Sequence, residues 1–252
     1  MTTASLLSGS IARAQSFPAD VLYELPNTPN GPQARTRAEL DTFGRVMESD
    51  TPAGIIATAE AFVDRYPKSQ LLPMVRLREM RAEMEVNSYE GAVAIGRELL
   101  PENPRNLEAL LLMASILPNF PPQDASRRAA ILAEARKDIE AAGELLQTLH
   151  MPQGASAEEF LINKRRLKAA LAEARGFVDL VAGQSQQAIR EYRWALAHGG
   201  NPSPVTSLRL GQAYYMAGDL KNARAELKLA MRSNSGVIRR KAAQLLQRIS
   251  SG

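Results

Sequence analysis

The chain offers few groups that could carry out a reaction. It has two histidines, His150 and His198, and no cysteine. Disulfides, thiolate zinc sites, iron–sulfur clusters and cysteine nucleophiles are therefore excluded together. Both histidines fall at the ends of predicted helices, where a lone imidazole caps carbonyls or faces solvent. There is no glycine-rich phosphate loop, no His-Glu-x-x-His and no Gly-x-Ser-x-Gly. Carboxylates such as Glu158 and Glu159, or Glu79 and Glu83, fall at a helix start or at i, i+4 beside arginines. Those positions suit caps and solvated faces. No catalytic residue, cofactor or metal site is expected, and the residues read as those of a non-enzyme. A reactive cleft would have to form between the long central helices near Lys164, Arg165 and Arg166, and none is expected there.

Binding chemistry is better represented. Lys221, Arg224, Lys228, Arg232, Arg239, Arg240, Lys241 and Arg248 crowd the last two predicted helices against Asp219 and Glu226. The cluster centred on Arg239, Arg240 and Lys241 could hold an anionic surface or polymer. It could equally be the solvated outer face that a terminal repeat needs. No aromatic residues interleave with these charges, which favours the solvated face and argues against nucleic acid. The net charge of +4 is spread over 31 basic and 27 acidic residues, so nothing global demands a polyanionic partner.

The positioning elements follow from composition and punctuation. Hydrophobic residues make up 45% of the 252 but aromatics only 5%, and alanine and leucine dominate the apolar set. That balance favours closely packed helices. No apolar run reaches the roughly 20 residues a membrane helix needs. Residues 1–14 end in Ala12-Arg13-Ala14, the small-x-small pattern of a signal-peptidase site, but lack a charged start. An exported, periplasmic protein and a cytoplasmic one with a plain leader both stay open. Residues 15–34 carry Pro18, Pro26, Pro29 and Pro32 and read as an extended arm docked through Val21, Leu22, Tyr23 and Leu25.

Aligning the chain with itself exposes a repeat. From Leu208 to Met231 it reads LRLGQAYYMAGDLKNARAELKLAM, and stepping back 35 residues lands on Gly176, Gly183, Ala188, Tyr192 and Ala195, with Asp179 in place of Tyr214. Further upstream, Tyr89-Glu90-Gly91-Ala92 with Pro104, and Ala59, Phe62, Tyr66 and Pro67, end earlier units. Gly211 should let two helices approach, Tyr214 should fill the gap between repeats, and Gly218 should accept the turn. Thr51-Pro52 and Ser203-Pro204 read as an N-cap followed by proline at the first helical position, Ser156 with Glu159 as a capping box, and Ser88 and Asp219 as further caps. Trp194, beside Ala195, reads as a packing residue.

These residues resemble the tetratricopeptide repeat (TPR), in the irregular style of bacterial cell-envelope proteins. The resemblance implies an all-α solenoid of antiparallel helix pairs whose first helices line a groove for a peptide or helix of another protein. Carried over by position, that groove takes Leu208, Gln212, Tyr215 and Met216, then Phe177, Leu180 and Val181, then Leu111 and Ser115. The alternative is that some of these lie buried under the next helix. The family's clamp for C-terminal carboxylates needs lysine and asparagine where this chain has Leu208 and Gln212, so that ligand is not expected.

The middle departs from the repeat. Pro118 to Gln123 is too proline-rich for a tight turn. Leu132, Ala135, Ile139, Ala142, Leu146 and Leu149 then keep a 4-3 rhythm, answered by Phe160, Leu167, Leu171, Ala174, Val178 and Val181 with Lys164 as the one breach. Two such seams predict a long antiparallel hairpin. The expected organisation is a leader (1–14), an arm (15–34), N-terminal repeats (35–123), the hairpin (124–182), and C-terminal repeats with a capping helix (183–252). The expected role is a non-catalytic interaction scaffold.

Overall fold

The structure, a computed structural model, describes residues 32–119, 124–151, 156–199 and 203–251. The expected leader, the expected proline-rich arm up to residue 31 with its apolar cluster, and residues 120–123, 152–155, 200–202 and 252 lie outside the described residues. Among the described residues there are eleven α-helices, one 3-10 turn and no strand. The helices are α1 (Arg37–Glu48), α2 (Pro52–Arg65), α3 (Leu72–Glu85), α4 (Tyr89–Glu102), α5 (Leu107–Ile116), α6 (Ala125–Thr148), α7 (Ala157–Val181), α8 (Ser185–His198), α9 (Pro204–Met216), α10 (Leu220–Ala230) and α11 (Gly236–Ser251). The 3-10 turn Leu117–Asn119 follows α5. No described helix is long and apolar enough to cross a membrane.

The chain divides into two compact units between Ala109 and Leu110, within α5. In the first, α1 to α4 pack each on the next. Val46, Ala59, Phe62 and Val75 are wholly buried at its start, and Phe62 meets Tyr66 at 5.2 Å between ring centroids. Burying a side chain of that size contributes roughly 1.5–3 kcal/mol. In the second unit α6 to α11 pack in sequence, with α7 also touching α9 and α9 touching α11.

Capping works where an oxygen can reach the first turn. Thr51 accepts from the Gly54 amide at 3.2 Å, Asp124 from Arg127 at 2.8 Å, Ser156 from Glu159 at 3.4 Å and Asp219 from Asn222 at 3.1 Å. Ser88 and Ser203 occupy cap positions, yet their hydroxyls make no capping bond. After Ser203 the start of α9 rests on Pro204 at its first helical positions.

The predicted hairpin is present and antiparallel. Lys164 Nζ donates to the Leu149 carbonyl at 2.9 Å, and a Cβ on Gly143 would meet Leu171 Cδ2 at 3.7 Å and Arg175 Nη2 at 3.2 Å. Seam positions Leu132, Ala135, Ile139, Ala142 and Leu146 are buried, as are Phe160, Leu167, Leu171, Ala174 and Val178. The breach at Lys164 is resolved by that bond and by the ammonium lying 5.6 Å over the Phe160 ring. The lysine thus ties the turn end of the hairpin.

Tyr214 fills the place its position suggests. It packs against both the α7–α9 core and the α9–α11 core. Gly211 permits the α9–α10 contact, since a Cβ there would sit 2.8 Å from Leu227 Cγ. Gly218 takes φ +79°, a conformation that L side chains rarely adopt.

Candidate functional site

The first surface to consider is the one carried over from the repeat pattern, and the structure splits it. Leu111, Ser115, Leu180 and Leu208 are buried in the second unit. The Ser115 hydroxyl donates to the Leu112 carbonyl at 2.8 Å, so its polarity is spent inside its own helix. Phe177 is covered because the Arg209 guanidinium lies 3.5 Å over its ring. Val181 is half-buried against the same core. These six positions are covered: Phe177, Leu180 and Val181 pack in the α7–α9 core, Leu208 packs in the α9–α11 core, and Leu111 and Ser115 are buried on α5. Gln212 and Met216 are exposed and Tyr215 is half-exposed. With Arg209 they form a stripe at i, i+3, i+6 and i+7 along α9.

Polar contacts hold that stripe in place. Thr206 Oγ1 on α9 donates to Glu173 Oε1 on α7. Burial pushes the Glu173 carboxyl up, while Thr206 and then Arg209 pull it back. Burial likewise raises Glu226 on α10, offset by its hydrogen bond to Ser207. These groups fasten α9 between its neighbours, so the stripe is presented on a fixed helix.

A second surface has no counterpart in the repeat pattern. Between α6, α7 and α8 lies a cleft of about 460 Å³ lined by Gly143, Leu146 and Gln147 from α6, Lys168, Leu171, Ala172 and Arg175 from α7, and Arg190, Glu191 and Trp194 from α8. Each helix contributes residues one turn apart, as three convergent faces require. Leu146, Leu171 and Ala172 are buried and form the apolar floor. Trp194 is 38% exposed and stacks on His198, with ring centroids 4.2 Å apart and planes 17° from parallel. It is therefore a half-open wall rather than the packing residue its neighbour Ala195 suggests. His198 Nδ1 lies 2.8 Å from the Trp194 carbonyl, which fixes the imidazole at the end of α8. His150 is exposed beyond the end of α6.

Charge at this cleft is uneven. Lys168, Arg175 and Arg190 are exposed, and among the described residues none of the three forms an ion pair. Burial raises the Glu191 carboxyl, and Arg175 lowers it less. Behind the lip, Asp179 is raised by burial and lowered by Arg136, Arg190 and Arg175 in that order. The substitution of Asp179 for tyrosine at the repeat position thus puts a carboxylate among three arginines. The one traceable signal for this cleft in the sequence is the i, i+7 pair Lys168 and Arg175 with apolar Leu171 and Ala172 between them. Of the three adjacent basic residues of α7, Lys164 is tied to the hairpin, while Arg165 and Arg166 are exposed.

The basic C-terminal cluster is partly structural. Arg224 donates to the Ile249 carbonyl at 3.1 Å and Arg239 to the Ser233 carbonyl at 2.7 Å. Arg240 and Lys241 are exposed. Glu79 corrects an expectation too: it is buried, not solvated, and accepts from Arg76 Nη1 at 3.0 Å. Among the described residues no group of three or more His, Asp or Glu is placed to hold a metal ion.

No family model matches the chain, and no curated protein matches it. A search of solved structures finds the crystal structure of a thermophilic TPR protein from Thermus thermophilus. The two superpose with a TM-score of 0.55 over 83% of this chain and 95% of that one, at 20% sequence identity. Together with the sequential packing of antiparallel helix pairs, this establishes an all-α helical-repeat fold of the tetratricopeptide type.

Proposed function

We propose, with the tetratricopeptide-type fold as the premise, that the chain is a non-catalytic scaffold that binds a segment of another protein along the exposed face of α9. The observation that carries this reading is the stripe Arg209, Gln212, Tyr215 and Met216. It combines an exposed thioether, a half-exposed ring, an amide and a guanidinium on one braced helix. Such a set suits an amphipathic helix or an extended apolar segment. Met216→Asp together with Gln212→Ala tests it, because both side chains are exposed and the fold should tolerate their loss. Partners crosslinked to the wild-type chain in its own host should be lost from the double variant at unchanged expression. Retention of every partner would overturn the reading.

The Ala12-Arg13-Ala14 motif supports placing this scaffold in the periplasm. The intact mass of the chain purified from its host decides: a start at Gln15 supports export, and a retained residue 1 refutes it.

A further inference from the structure

The cleft between α6, α7 and α8 has a chemistry different from that of the α9 stripe. We infer that it is a second docking site, which takes a peptide segment carrying an apolar side chain between two carboxylates. This inference rests on the reading of the chain as a protein-binding scaffold.

The argument is one of complementarity. The floor, Leu146, Leu171 and Ala172, is apolar and offers no hydrogen-bonding side chain. An occupant must therefore bring an apolar group to it. The indole of Trp194 supplies one wall, held flat by His198 behind it, and an exposed ring fixed in this way loses little freedom on binding. Around the mouth stand Lys168, Arg175 and Arg190, three cations that form no ion pair among the described residues, outnumbering the two carboxylates near them, Glu191 at the mouth and Asp179 behind the lip. The electrostatic requirement is thus for negative charge on either side of the apolar group.

Spacing narrows the ligand further. Lys168 and Arg175 stand seven residues apart on one face of α7, about 10 Å along the axis at 1.5 Å per residue. Side chains of an extended segment alternate faces, so residues i, i+2 and i+4 share one face over about 13 Å. Carboxylates four apart, with an aliphatic or aromatic residue midway, would meet the two long, flexible cations while the apolar side chain reaches Leu171 and Trp194. A bare anion such as phosphate would satisfy the cations and leave the apolar floor in water, so it is the weaker fit.

The test is selection of phage-displayed random octapeptides on the full chain. Enriched peptides should show acidic, apolar and acidic residues at alternate positions. A synthetic, tryptophan-free winner should change the emission of Trp194 saturably, and that signal is unambiguous because the chain has one tryptophan. Lys168→Glu with Arg190→Glu should weaken binding at least about tenfold, the scale expected for reversing charges at a partly desolvated contact. Lys168→Glu alone guards against misfolding, since Arg190 also neighbours Asp179 and Glu191 whereas Lys168 is not among the charges acting on them. It should still weaken binding severalfold with an unchanged circular dichroism spectrum. Met216→Asp should leave the peptide's affinity unchanged. The inference is overturned if no peptide is enriched, if winners lack acidic residues, if they bind the Lys168→Glu variant equally well, or if inorganic phosphate reproduces the Trp194 response at equal concentration. Loss of native partners through Met216→Asp alone, with the cleft variants silent, would leave the α9 reading standing and remove this one.

Discussion

The α3–α4 hairpin of the first unit and the α9–α10 hairpin of the second use the same turn but different means of bringing their helices together. At the turn, Asn87 and Gly218 both take positive φ, +63° and +79°. The hydrogen bonds agree almost to the tenth of an ångström. Asn87 N donates to the Met84 carbonyl at 3.1 Å and Ser88 N to Glu83 at 2.8 Å; Gly218 N donates to Tyr215 at 3.1 Å and Asp219 N to Tyr214 at 2.9 Å. Gly183 repeats the pattern between α7 and α8. Five residues after each turn stands an alanine, Ala92, Ala188 or Ala223, and each is fully buried. Those two features are constant. What changes is the crossing point: Gly211, seven before the turn, faces Leu227, nine after it. At the matching positions of α3–α4 stand Met80 and Gly96, both buried. The small residue has moved from the first helix to the second. Close approach needs one small side chain at the crossing and is indifferent to which helix supplies it.

The largest expected effects come from breaking that pairing. Gly211→Met alone should cost about 3 kcal/mol, because even a Cβ would sit 2.8 Å from Leu227 Cγ and 3.3 Å from its backbone nitrogen. Leu227→Gly alone should cost about 4 kcal/mol, from the emptied volume and the loss of helix propensity. The double variant transplants the α3–α4 arrangement and should recover at least about 2 kcal/mol of the summed loss in urea unfolding. Strict additivity would show that the two positions do not compensate.

The units also differ in how first helices are joined. In the second unit α7 and α9 meet through Glu173–Thr206 and Arg209 over Phe177, whereas in the first Arg81 on α3 pairs with Glu108 at the start of α5. Glu108 is buried, and among the described residues only its Oε1 has a partner. Burial raises its pKa and Arg81 lowers it again. Arg81→Ala should cost about 2 kcal/mol near neutrality, less than for a fully buried pair because Arg81 is one-third exposed. The sign of the pH dependence follows. A carboxyl raised in the folded state binds its proton better folded than unfolded, so its ionisation penalty is complete above the folded value and fades towards the ordinary 4.5. The deficit of Arg81→Ala should therefore shrink as the pH falls from neutrality towards the ordinary glutamate value. A deficit that grows on acidification would contradict burial as the dominant cause.

Turn substitutions should act more mildly. Gly218→Ala should cost about 1 kcal/mol, since alanine resists positive φ. Asn87→Gly should change stability by only a few tenths of a kcal/mol, because asparagine already tolerates that conformation and glycine enlarges the unfolded ensemble.

This pattern shows what can be read from the residues alone. Glycines and alanines at fixed intervals are easy to recognise because only small residues fit where helices touch, and they lead directly to the repeat and the hairpin seams. Asn87 escapes a search that weighs glycine at the turn. The candidate surface is less legible. Leu208 and Phe177 carry the same types whether a helix covers them or not, and burial is decided by how the next helix lies across them. The cleft is hidden for a similar reason: Trp194, Arg175 and Gly143 come from three helices, and only the packing of those helices brings them to one place.

The smallest effect is expected from Tyr192→Phe, and its sign is the informative part. In α7–α8 the crossing is Gly176 against Tyr192, where a Cβ on the glycine would lie 3.0–3.1 Å from ring atoms. The ring is therefore the group that fills the gap. The hydroxyl is another matter: it is wholly buried without a hydrogen-bond partner among the described residues, and burial holds its pKa well above the ordinary tyrosine value. Phenylalanine keeps the ring on Gly176 and removes the unsatisfied polar atom. Stability should stay level or rise by up to about 1 kcal/mol. A loss of more than about 1 kcal/mol on thermal or urea unfolding would show that the hydroxyl is satisfied by a buried water beside Glu173 and Arg209, and that this crossing depends on a polar contact that its counterpart at Leu227 does without.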